Sequence, residues 1–73
     1  MSLFSELRDM EGDNVRLKLK SGKVIFVGIE EVNKTNDSVR ILNEKGLQQL
    51  MQVTLDETNY SDIPLSEILG IED

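Results

Sequence analysis

The sequence predicts a mostly β fold: a small, five-stranded, bent antiparallel barrel preceded by an N-terminal α-helix, within a single domain over residues 1–73. Three observations carry that expectation. In residues 7–22 a helix end, a strict two-residue alternation and a tight turn follow one another without a gap. Downstream, short alternating segments succeed each other through close, turn-rich connections, with no internal repeat, low-complexity tract or linker. The second of these segments is apolar on both faces, which an open meander cannot cover, so a strongly bent barrel is the economical arrangement.

The helix is expected over about residues 3–11. Leu3, Phe4, Leu7 and Met10 recur on one side of it, Ser2 or Ser5 is placed to cap it, and Gly12 supplies the positive-φ position that ends it. So short a helix is marginal alone and must lie on something. The barrel follows over about residues 14–72. A first strand at 14–20 sends Val15, Leu17 and Leu19 one way and Arg16, Lys18 and Lys20 the other, then turns through Ser21-Gly22. A second, at 23–32, sets Val24, Phe26 and Gly28 against Ile25, Val27 and Ile29, and Gly28 marks a bulge or sharp bend.

Asn33-Lys34-Thr35-Asn36-Asp37-Ser38 is a dense run of turn formers and reads as a loop. The third strand, at 38–43, directs Val39 and Ile41 inward. Glu44-Lys45-Gly46 reads as a turn with Gly46 left-handed, and a fourth strand, at 47–56, carries Leu47, Met51, Val53 and Leu55 on one face. Residues 57–62 are polar and read as a loop. From Ile63 onward a single helical turn and a short last strand are expected, with Pro64 arguing against a regular central strand there.

Composition narrows the function. A core built from 73 residues supplies only a few kcal/mol, and with no cysteine and no histidine neither a disulfide nor a zinc staple is available, which leaves oligomerisation as the stabilising device. The lack of cysteine suits a reducing cytoplasm. No apolar run reaches membrane-span length and Met1-Ser2-Leu3 leads into no secretory region, so a soluble protein with no membrane partner is expected. The net charge of −6 is uneven: residues 1–13 carry −3, residues 14–43 carry +3 and residues 44–73 carry −6. The plain reading of Arg16, Lys18 and Lys20 is the solvated face of an alternating strand.

Catalysis has no support. The serines have no base beside them, no glycine-rich phosphate loop exists, and the adjacent acids Glu30-Glu31 and Asp56-Glu57 split across a sheet rather than forming dyads. No cofactor or metal is implied. Single-strand binding on aromatic platforms is poorly served by three aromatics; Phe4 and Phe26 read as core, and Tyr60 as a stacking residue or a lid over the barrel end.

From Leu7 to Ile71 the chain resembles the Sm-like (LSm) family, in which a short helix leads into a bent SH3-like barrel that assembles into RNA-binding rings. Counted from the turn glycine Gly22, the family's base-binding aspartate falls on Asn33 and its asparagine on Asp37 or Ser38, with Asn36 nearby. Its second motif, isoleucine-arginine-glycine followed by spaced apolar residues, lies over Ile63-Pro64-Leu65 with Ile68 and Ile71 in the later places. The hydrophobic frame is thus kept, whereas the arginine and glycine that complete the base pocket are replaced by Pro64 and Leu65.

The resemblance implies a non-enzymatic homo-oligomeric ring that contacts RNA or single-stranded DNA through Asn33, Lys34 and Asn36, the amides meeting base edges and Lys34 a phosphate. It also implies an interface in which the strand near Met51, Val53 and Leu55 pairs with Ile68 to Ile71 of the next subunit. The alternative is a monomeric SH3-like module for protein interaction or assembly, whose sheet edge accepts a partner strand; the acidic last third favours it.

Overall fold

The structure, a computed structural model, describes residues 2–49, 55 and 57–72. It is mostly β, with five antiparallel strands in one sheet: β1 (Asn14–Leu19), β2 (Val24–Asn33), β3 (Ser38–Leu42), β4 (Tyr60–Pro64) and β5 (Ile68–Glu72), ordered β4-β3-β2-β1-β5. Helix α1 (Leu3–Asp9) precedes the sheet, α2 (Glu44–Gln49) follows β3, and single 3₁₀ turns occupy Glu57–Asn59 and Leu65–Glu67.

The order of strands forces the sheet to curl. In a flat sheet β4 and β5 would lie four strand spacings apart, about 19 Å. Yet the chain passes from one to the other through the three residues Leu65–Glu67, and such a 3₁₀ turn advances only about 6 Å. The two edges therefore approach each other at that end. No ladder between β4 and β5 closes the sheet among the described residues, so the structure is a curled open sheet.

Alternation fixes what the curl encloses. Val15 and Leu17 of β1, Val27 and Ile29 of β2, Val39 and Ile41 of β3 and Ile68 of β5 form one buried cluster, joined by Leu7 from α1. The β1–β2 hairpin turns at Gly22, whose φ of +94° is open to glycine at little cost. The β2–β3 register slips by one residue between Ile29 and Glu31, leaving Glu30 as a bulge. That slip reverses which residues face inward, so that Val32 rejoins the side of Ile29. The irregularity expected at Gly28 thus falls two residues later. Gly28 itself is a close approach, where a Cβ would lie 3.0 Å from Asn14 Oδ1 and 3.3 Å from Leu42 Cβ.

Three further expectations need correction. The second strand is not covered on both faces: Val24 is 42% and Phe26 51% exposed, so Phe26 is no core residue. Residues 57–62 are not a loop, since β4 begins at Tyr60; Pro64 ends this edge strand, where a missing N–H is harmless.

The turn at Glu44-Lys45-Gly46 and the start of the predicted fourth strand are instead helix α2. Asn43 caps it: its Oδ1 accepts the Gly46 N–H at 3.0 Å. The run that follows has straight-chain residues and no β-branched one, which favours helix. The rest of that predicted strand, including Met51 and Val53, lies outside the described residues, and Leu55 belongs to no strand.

Helix α1 matches the sequence reading in its position and its cap, with Ser2 Oγ accepting the Ser5 N–H at 3.2 Å and Leu7 fully buried, but Phe4, expected in the core, is half-buried, lies outside the core cluster and faces Lys34 instead. Its exit is pinned to β2 by Gly12 N–H donating to Ile29 O at 2.8 Å and by Glu11 Oε2 accepting the Val32 N–H at 2.9 Å. Helix α2 is sewn to the segment after it. Asn43 Nδ2 donates to Thr58 O at 3.1 Å and to Ser61 Oγ at 3.3 Å, while Asn43 N–H donates to Asn59 O at 2.9 Å. Gly46 fits so closely that a Cβ there would meet Asn59 O at 2.8 Å and Leu42 Cδ1 at 2.5 Å. Leu42 alternates with the outward residues Ser38 and Arg40, and it is buried because α2 lies on it.

Candidate nucleic-acid interface

The connection between β2 and β3 is short and internally braced. Asn33 Oδ1 accepts the Asn36 N–H at 3.0 Å, a side-chain-closed turn for which asparagine is well suited. Asp37 takes φ of +55°, a left-handed conformation that a short polar side chain tolerates. Its carbonyl accepts the Leu65 N–H at 2.8 Å. The two stretches that carry the family resemblance, 33–38 and 63–65, therefore meet in space.

The three residues expected to bind nucleic acid do not share one surface. Asn33 and Asn36 line a polar hollow of about 360 Å³ together with Glu31, Ser38, Arg40 and Asp62. Lys34 lines a different one, of about 480 Å³, beside Phe4, Arg8 and Glu11, and its Nζ sits 5.7 Å from the Phe4 ring centroid. Neighbouring residues of a tight loop diverge, and the braced turn fixes which way each points.

Arg40 is the residue that sequence reasoning missed. It stands opposite Glu31 on one neighbouring strand and Asp62 on the other, with its Cζ 4.8 Å from the Tyr60 ring centroid. Tyr60 thus backs a guanidinium within the sheet rather than occupying a free loop. The only hint in the sequence was an arginine between the inward residues Val39 and Ile41. The register that brings Tyr60 and Asp62 to it could not be read there.

Chemically, the hollow offers donors from Arg40, Ser38 and the two amides, and acceptors from Glu31, Asp62 and Asn36. One cation against two carboxylates makes it unfavourable for phosphate and suited to a neutral group with both donors and acceptors on one edge. Because Asn33 Oδ1 is used within the turn, the Asn33 side chain contributes donors. Among the described residues no group of three or more acidic side chains is placed to hold a metal ion, and no helix is long and apolar enough to cross a membrane.

The residues expected at a subunit interface fall in different environments. Ile68 is 4% exposed and belongs to the core, and Ile71 is partly buried against it. Leu55 is partly buried, while Met51 and Val53 lie outside the described residues. Comparison with protein-family models, with curated proteins and with solved structures finds no match for this chain.

Proposed function

We propose that the protein is a non-enzymatic, Sm-like binding module that self-associates through the edges of its sheet and takes a base of single-stranded RNA or DNA at the hollow beside the 34–37 connection. The observation that carries this reading is the convergence of Asn33, Asn36, Ser38 and Arg40 on one small polar hollow. Amides and a guanidinium recognise base edges, and the excess carboxylate disfavours phosphate at the same place. The resemblance to Sm-like proteins supports the same connection as the contact point.

Assembly rests on the strand order. Among the described residues each of β4 and β5 has one neighbour in the sheet, so the outer side of each has no strand partner there. Pairing β4 of one copy with β5 of the next is a heterologous contact, and such contacts make a ring when the rotation between successive copies closes and an open filament when it does not. A second reading, in which the β4 edge accepts a strand from a different protein, draws on the same open edge.

Fluorescence anisotropy with short oligo(U) and oligo(dT), alongside light scattering, separates these readings. Asn36→Ala should weaken binding several-fold without altering its salt dependence. Lys34→Ala should leave base recognition intact and flatten the log–log salt slope by about 0.7, the loss of one phosphate contact. A monomer that binds no oligonucleotide at low salt removes both parts of the proposal and leaves the partner-strand reading.

A further inference from the structure

We propose that the outward face of β1 and the adjoining half of β2 form a second contact for single-stranded nucleic acid, a phosphate track with one base seat, separate from the 34–37 hollow. Arg16 and Lys18 are exposed at alternate positions of β1, and Lys20 is exposed just past its end. Alternate residues on one face of a strand lie about 6.8 Å apart. That spacing is close to the separation of neighbouring phosphates in an extended single strand, so a row of cations at this repeat can meet successive phosphates.

A second row runs beside the first. Phe26 is the cross-strand partner of Arg16, and Val24 that of Lys18. These are the apolar side chains left exposed on β2, and a phenylalanine ring open to solvent beside cations is a stacking surface for a base. Phe26 also walls a hollow of about 500 Å³, with Met10, Asn14, Arg16, Ile71 and Glu72 around it. This is ample for one nucleobase next to the first cation of the row. A base inside a duplex could not reach that seat, which selects a single strand.

The distribution of charge favours this face over the rest. Arg16, Lys18, Lys20 and Lys23 are four of the chain's eight cations; Asp13 and Glu72 border Arg16, the Glu67 carbonyl accepts the Lys20 N–H at 2.9 Å, and Glu44 shares a hollow with Lys23. Elsewhere among the described residues, Arg8, Lys34 and Arg40 are set against the acids Glu6, Asp9, Glu11, Glu30, Glu31, Asp37, Glu57 and Asp62. A polyanion approaching this chain therefore meets, on this face, a row of cations matched by as many bordering carboxylates, and net negative charge over the other described residues. Glu72, directly across the sheet from Arg16, opposes binding.

The test is a salt titration of labelled oligo(dT) binding, followed by anisotropy on the full chain. The double variant Arg16→Ala with Lys18→Ala should weaken binding at low salt at least tenfold and reduce the log–log slope by about 1.4, two contacts at about 0.7 each. Phe26→Ala should weaken binding by about tenfold and leave the slope unchanged. Glu72→Gln should tighten binding, a gain that a misfolded variant cannot produce.

The proposal is overturned if the double variant binds with parental affinity and slope, or if the parent does not bind at all. It is also overturned if the double variant alters the solution mass and not oligonucleotide binding, which would assign the face to a second copy of the chain. Loss of binding on Asn36→Ala with none on the double variant overturns this track alone, and the reverse pattern overturns the hollow at 34–37 alone.

Discussion

The two short helices are held to one sheet by different physics. Helix α1 contributes a buried leucine, Leu7, to the enclosed core, whereas α2 lies outside the sheet over Leu42 and is held by hydrogen bonds from Asn43 and by the missing side chain of Gly46. Burial of a side chain imposes a sequence period; backbone proximity and a polar clamp impose almost none. This difference explains why α1 is legible in the hydrophobic period and α2 is not.

Three substitutions put the comparison to work. Leu7→Ala removes the one fully buried anchor of α1 and should cost about 2–4 kcal/mol, in the range of leucine truncations in a core. If the contrast holds, amide exchange will accelerate across α1 well before β1 and β2. Uniform acceleration would mean that α1 and the sheet unfold as one unit.

Asn43→Ala deletes the cap and the ties to Thr58 and Ser61, and should cost about 1–2 kcal/mol. Urea unfolding of the variant should show a lowered midpoint with an unchanged slope.

Gly46→Ala is the smallest and sharpest test, because two effects oppose. Alanine improves helix propensity by about 1 kcal/mol, but its Cβ would be forced against the Asn59 carbonyl, and overpacking costs about 1–3 kcal/mol. Backbone cannot swing aside as a side-chain tip can, so a net loss of about 1 kcal/mol is expected in thermal unfolding. A stabilised variant would show that α2 is not seated on Asn59.

The residues that could be read from the sequence share one property: burial imposed a repeat on them. Val15 and Leu17, Val27 and Ile29, and Val39 and Ile41 alternate, and Leu3, Leu7 and Met10 recur at helical spacing. What was missed depends on partners distant in sequence. The Glu30 bulge exists only relative to β3, and on the outward face of β2 the Asn14 and Leu42 side chains cover Gly28 while Phe26, two residues earlier, stays half exposed. The asparagine cap before a run free of β-branched residues was the available sign of α2. At the candidate site the polar connection was legible, but the separation of Lys34 from Asn33 and Asn36 follows from turn geometry. The role of Arg40 follows from the β3–β4 register.

The pairing of β1 with β5 has a consequence for how the chain reaches this structure. Neighbouring strands β1, β2 and β3 join through turns of a few residues, so their contacts form at small loop-closure cost. By contrast, Arg16 finds Glu72 only after nearly the whole chain has been gathered in. Contacts of such long sequence separation slow the search for the native state. The three-stranded meander is therefore the natural early structure, and docking of the final strand is the slow, committing step. Until that step is complete, the β1 edge stands open beside Arg16 and Lys18, and the two cations carry the burden of discouraging wrong pairing during synthesis.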